Sequence, residues 1–86
     1  MLFKKEYENG QKASAYNNQT SVLTYYFKSG SIKSAGQCIN QKLEGEWRFY
    51  RETGQLLQVG QFKGGKKQGV WKYYGSDGTL AYERSF

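Results

Sequence analysis

Along most of this chain apolar and polar side chains alternate one by one, as in Leu43-Glu44-Gly45-Glu46-Trp47-Arg48-Phe49 and Trp71-Lys72-Tyr73. Alternation of that kind puts one face of an extended strand in a core and the other in water. No apolar i, i+3, i+4, i+7 stripe persists, so helix is not expected anywhere. Turn signals that supply φ > 0 fall at Asn9-Gly10, Ser29-Gly30, Thr53-Gly54, Gly64-Gly65 and Asp77-Gly78, with a softer one at Asn40-Gln41-Lys42. Between them the pattern predicts strands near 2–8, 11–17, 22–28, 31–39, 43–51, 55–63, 67–75 and 79–86. The expected fold is all-β: an antiparallel meander of hairpins forming one twisted or rolled sheet, in a single domain over 1–86.

The hairpins repeat. Gly30, Gly54 and Gly78 are spaced by 24 residues, and so are Gly36/Gly60, Gly45/Gly69, Trp47/Trp71 and Tyr26/Tyr50/Tyr74. Such self-similarity marks a stacked array of one supersecondary unit. Period 2 within strands and period 24 between hairpins sort the side chains onto two faces. The core face is expected to carry the columns Leu23/Trp47/Trp71, Tyr25/Phe49/Tyr73, Ile32/Leu56/Leu80 and Cys38/Phe62/Phe86. Gly36 and Gly60 lie on that face, where a missing side chain leaves room for a neighbouring Trp, and Arg84 takes the third such position. The opposite face is expected to carry Tyr26, Tyr50 and Tyr74 with Arg48, Lys72, Leu57 and Val59.

Residues 1–24 keep the phase least well. Tyr7–Lys12 and Tyr16 line up with Phe62–Lys67 and Trp71, after which about seven extra residues, Asn17–Leu23, break the register. These residues read as a divergent first unit of the array, in the position of a cap.

Composition limits how much such a sheet can bury. The chain has 86 residues, 17% of them aromatic within a hydrophobic total of 37%, so burial must come mainly from Trp, Tyr and Phe. A domain this small is near the lower limit for a self-sufficient core. The absence of proline suits a fully paired sheet but leaves its edges without a common blocking device. Small core and open edges together lead us to expect a homodimer formed by edge or face pairing.

The net charge of +6 admits nucleic acid, acidic proteins or an anionic membrane as partners without choosing among them. Cys38 is the single cysteine, which excludes an intramolecular disulfide and a cysteine-cluster metal site. The first ten residues contain no apolar run long enough for a signal peptide or a membrane span. A cytoplasmic location is expected from that, or export if a leader has been removed.

The segments Tyr73-Tyr74-Gly75-Ser76-Asp77-Gly78 and Gly60-Gln61-Phe62-Lys63-Gly64-Gly65-Lys66-Lys67-Gln68-Gly69-Val70-Trp71 resemble the MORN-repeat variant found in many small bacterial proteins, closest to the subgroup labelled antitoxin-like. The resemblance is specific over 43–80, fair over 25–42, where Cys38 and Gln41 replace Phe and Gly, and weak before that. It implies a β-hairpin array that scaffolds or binds partners, and it carries over no catalytic or ligand residue.

Candidate chemistry is sparse. Gly60–Lys67 matches the start of a phosphate-binding P-loop, but Lys67 stands where Ser or Thr should hold magnesium, and no helix is expected after it. The chain has no histidine, the commonest general base and metal ligand. Glu44 and Glu46 share a strand face, a spacing a glycosidase uses, yet they also read as a solvated strand end. Cys38 has no His to activate it. No enzyme, cofactor or metal is expected.

Binding is the better reading. Trp47-Arg48-Phe49-Tyr50-Arg51 and Trp71-Lys72-Tyr73-Tyr74 interleave aromatics with cations, as stacking platforms for single strands do, although the tryptophans belong to the face that must be buried. Tyr26, Tyr50 and Tyr74 remain as exposed candidates, a ladder suited to a protein surface or an extended ligand. The leading expectation is a non-enzymatic protein-interaction or assembly module. The alternative is electrostatic attachment to anionic lipid or nucleic acid through Lys63, Lys66, Lys67, Arg48 and Lys72.

Overall fold

A computed structural model describes residues 6–86. Seven strands form one open antiparallel sheet in chain order: β1 (Ser14–Asn17), β2 (Val22–Tyr26), β3 (Ile32–Ile39), β4 (Lys42–Tyr50), β5 (Leu56–Lys63), β6 (Lys66–Tyr74) and β7 (Leu80–Ser85). The strand expected at 2–8 falls partly outside the described residues, and of its remainder Glu6 makes an isolated bridge to Lys12. The strand expected at 11–17 is shorter, starting at Ser14.

From β2 onward two kinds of turn alternate. Tight two-residue turns close β3–β4 through Asn40-Gln41 (φ 51° and 65°) and β5–β6 through Gly64-Gly65 (φ 58° and 84°), the double positive φ that right-twisted hairpins favour. Wider loops join β2–β3, β4–β5 and β6–β7. Each is closed by the same pair of backbone bonds, such as Arg51 N–H to Gln55 O at 2.8 Å and Gly54 N–H to Arg51 O at 2.9 Å.

The turn at Gly10 has the wider geometry: Tyr7 N–H reaches Gln11 O at 2.8 Å, and Gly10 N–H reaches Tyr7 O at 3.0 Å. Gly10 therefore corresponds to Gly30, Gly54 and Gly78, not to the Gly64-Gly65 turn with which its neighbours align in sequence. This reassigns the first unit. Counted from Gly10, Tyr16 stands in the place of Gly36 and Gly60, and Leu23 in the place of Trp47 and Trp71. Tyr16 and Leu23 pair directly across β1 and β2, seven residues apart where Gly36 and Trp47 are eleven apart. The first unit is thus four residues shorter than the others rather than seven longer.

Tryptophans organise the core. One row of cross-strand neighbours runs Tyr16, Leu23, Gly36, Trp47, Gly60, and continues through Trp71 to Arg84. Leu23, Trp47 and Trp71 are wholly inaccessible to solvent. Each indole lies over the glycine of the preceding strand: a Cβ on Gly36 would stand 2.5 Å from the Trp47 ring, and one on Gly60 would intrude on Trp71. Beside each tryptophan β4 and β6 carry an unmatched pair of residues, Gly45-Glu46 and Gly69-Val70, with φ of 72° and 74° at the glycines. Bulges of this kind bend a strand and leave backbone groups unpaired. The indole N–H takes up the carbonyl that follows the glycine, Trp47 to Gln37 at 2.9 Å and Trp71 to Gln61 at 3.1 Å.

Phe49 and Phe62 pack between the two indoles. Leu43 joins the cluster beside Cys38 and Phe62. Phe86 also meets Trp71, edge-on at 6.2 Å, but remains 48% exposed, so that column is buried at Cys38 and open at Phe86.

One expected column is on the wrong face. Leu57 is an extra residue between the pairs Phe49↔Gln58 and Tyr50↔Leu56, and Lys33 and Ala81 are extra at the equivalent places. A one-residue bulge reverses the alternation beyond it. Ile32, Leu56 and Leu80 therefore leave the tryptophan face and stand opposite Tyr26, Tyr50 and Tyr74.

Candidate functional site

The face away from the tryptophans carries three like rungs: Tyr26↔Ile32, Tyr50↔Leu56 and Tyr74↔Leu80. Successive rungs are two strands apart, roughly 10 Å. The three tyrosines and Leu56 are half-buried, while Ile32 and Leu80 are 45% and 49% exposed. Side chains from the wide loops fix the ladder's backbone: the Tyr7 hydroxyl donates to Tyr26 O at 2.7 Å, and Arg51 Nη2 donates to Tyr74 O at 3.2 Å.

Arg48 and Lys72 precede Tyr50 and Tyr74 by two residues and share their face, separated by Val59, which pairs with both. Arg48 Nε donates to Glu46 Oε2 at 3.0 Å. The Glu46 carboxylate first, and a hydrogen bond with Tyr50 second, hold the guanidinium pKa above its ordinary value. Lys72 stands opposite Glu83.

The remaining basic candidates divide. Lys63 and Lys66 pair across the Gly64-Gly65 turn on this face. Lys67 pairs with Phe62 and turns to the tryptophan face, its ammonium 4.8 Å from the Trp71 ring centre and 5.0 Å from that of Phe86. The structure thus sets Arg48 and Lys72 with the tyrosines and sends Lys67 to the opposite side of the sheet.

Groups considered for catalysis have structural partners. Glu44 Oε1 accepts from Gly64 N–H at 2.8 Å, bracing the tight turn, whereas Glu46 pairs with Arg48; the φ of 72° at Gly45 lies between them. Cys38 is buried in the core. The P-loop-like segment forms β5, the tight turn and the start of β6, with strand rather than helix after Lys67. Among the described residues no group of three or more His, Cys, Asp or Glu is placed to hold a metal ion, and no helix is long and apolar enough to cross a membrane.

A family model described as the MORN repeat variant matches twice, over residues 43–63 and 67–86. The chain belongs to this family. The two matched MORN repeats are β4 with β5 and β6 with β7, so each repeat is one hairpin closed by a wide loop. The matches begin at Leu43, after the segment in which Cys38 and Gln41 depart from the repeat pattern. Searches of curated proteins and of solved structures gave no match.

Sequence reasoning expected Tyr26, Tyr50 and Tyr74 to be exposed, whereas they are half-buried, and it missed their aliphatic partners. Ile32, Leu56 and Leu80 carry the same 24-residue spacing, but only the strand pairing shows which face they take.

Proposed function

We propose that this chain is a non-enzymatic assembly module that binds a second copy of itself through the tyrosine–aliphatic ladder. Membership of a family built from MORN repeats supports a binding or assembly role. The observation that carries the choice of face is the transfer of Leu56, with Ile32 and Leu80, to the side of Tyr26, Tyr50 and Tyr74. A face that were merely the wet side of a sheet would not gather three large aliphatics beside three tyrosines. Tyrosine suits an interface because its ring packs while its hydroxyl stays hydrated. Arg48 and Lys72 lie beside the ladder as a polar margin.

Methyl NMR of the protein across a dilution series tests this reading. Signals of Ile32, Leu56 and Leu80 should move with concentration while those of Leu23 and Leu43, on the tryptophan side, stay fixed. Movement of the second set alone, or of neither, rejects it.

A further inference from the structure

Beside the tryptophan row a second row crosses the sheet: Ser14, Tyr25, Ser34, Phe49, Gln58, Tyr73, Tyr82, each facing the next on the adjoining strand. Ser34, Gln58 and Tyr82 are repeat equivalents, and they differ greatly in size. Tyr82 stacks on Tyr73, with centroids 4.5 Å apart and planes within 10°, and Gln58 lies between Phe49 and Tyr73. Ser34 puts a hydroxymethyl group between Tyr25 and Phe49. A cleft of about 390 Å³ opens there, lined by Tyr25, Ser34 and Phe49 with Tyr7, Ala13, Tyr26 and Lys33. Lys33 is a second departure at the same spot, a cation where the other units have Leu57 and Ala81.

We infer that this cleft is a binding site for a small aromatic carboxylate. Its volume lies within the range of small-molecule sites, and its lining follows their usual make-up of apolar and aromatic walls with few polar groups. Tyr25 and Phe49 offer ring surfaces for an aromatic body, the Ser34 hydroxyl a hydrogen bond, and Lys33, whose ammonium rests 5.8 Å from the Phe27 ring centre, a counter-charge that turns to the carboxylate on binding. Burial raises the Tyr25 hydroxyl pKa, with Cys38 adding to the effect. The site goes beyond the assembly role: Tyr25, Ser34 and Phe49 belong to the tryptophan face, and of the ladder residues Tyr26 alone also lines the cleft.

The test is an amide NMR titration of the full chain with benzoate and, separately, with the uncharged benzamide. Saturable shifts centred on Tyr25, Ser34 and Phe49 are expected, with benzoate favoured by about two- to fivefold, the worth of one exposed ion pair. Ser34→Gln copies Gln58, so it should keep the fold's amide spectrum while weakening benzoate by about tenfold or more through steric filling. Lys33→Gln should abolish the preference for the acid. Absence of saturable shifts, undiminished binding to a folded Ser34→Gln protein, or an acid preference that survives Lys33→Gln would each overturn the inference. Because Leu56→Glu alters the ladder and not the cleft's walls, benzoate binding by that variant separates failure here from failure of the assembly reading.

Discussion

The Trp71 indole occupies the space in which a side chain at Gly60 would stand, and its N–H bonds to the carbonyl of the next residue, Gln61. Gly60 is therefore held by close approach and not by backbone conformation, since its φ is not positive. Gly60→Ala should destabilise the protein by about 1–3 kcal/mol, the usual cost of overpacking. Gly36→Ala, against Trp47, should behave alike. Urea unfolding followed by tryptophan fluorescence measures both, and an unchanged midpoint for either would contradict this packing.

Tyr16 and Leu23 perform with reversed sizes the fitting that Gly36 and Trp47 perform in the next unit. Leu23→Trp should cost about 1–3 kcal/mol, because the larger ring meets Tyr16. Adding Tyr16→Gly should recover part of that loss and not all of it. The short first hairpin lacks the two-residue bulge beside which the other indoles find a carbonyl, and a buried N–H without a partner costs about 1–3 kcal/mol. A double-mutant cycle reads the coupling directly, and strict additivity would show that the two sites do not exchange volume.

Lys67 takes the place that Leu43 holds one repeat earlier and lies over Trp71 and Phe86. Lys67→Ala should cost about 0.5–1 kcal/mol, the scale of an exposed cation–π contact. Lys66→Ala, one residue away at the exposed tight turn, should leave the unfolding midpoint within error. Equal effects of the two substitutions would remove the role given to Lys67.

Asp77 accepts hydrogen bonds from the Thr79 N–H at 3.0 Å and hydroxyl at 2.8 Å. The backbone bond first and the side-chain bond second hold its pKa below the ordinary 3.8. A carboxylate whose folded pKa is depressed adds stability above its unfolded pKa, and that contribution is lost as pH falls through the folded value. Titration of the Asp77 carboxyl by NMR should give a midpoint below 3.8, moving upward in Thr79→Ala. A midpoint unaffected by Thr79→Ala would remove the part given to the Thr79 hydroxyl and leave the backbone bond as the cause.

Much of the fold is legible in the chain because its packing rule is written as residue size: a glycine, then a tryptophan eleven residues later, repeated after 24. The turns are legible for a similar reason, since φ > 0 favours Gly and Asn. The reversed face of Leu56 is not, because Leu57 looks like any strand residue until its pairing shows it to be extra. The true phase of the first unit was available in Asn9-Gly10, which matches Ser29-Gly30 and Asp77-Gly78, but the stronger resemblance of Tyr7–Lys12 to Phe62–Lys67 concealed it. For the candidate site, the periodic tyrosines could be read directly. Their partners Ile32, Leu56 and Leu80, and the cleft at Ser34, depend on cross-strand neighbours that periodicity alone does not supply.

Light scattering across a concentration series, on the unaltered protein and on Leu56→Glu, bears most directly on the proposed role of the ladder. Leu56 is half-buried opposite Tyr50, so a carboxylate there should spare the tryptophan core, which near-ultraviolet circular dichroism verifies. The proposed role requires a dimer mass for the unaltered protein and a monomer mass for the folded variant. A monomer throughout for the unaltered protein, or a dimer that survives Leu56→Glu, would contradict it.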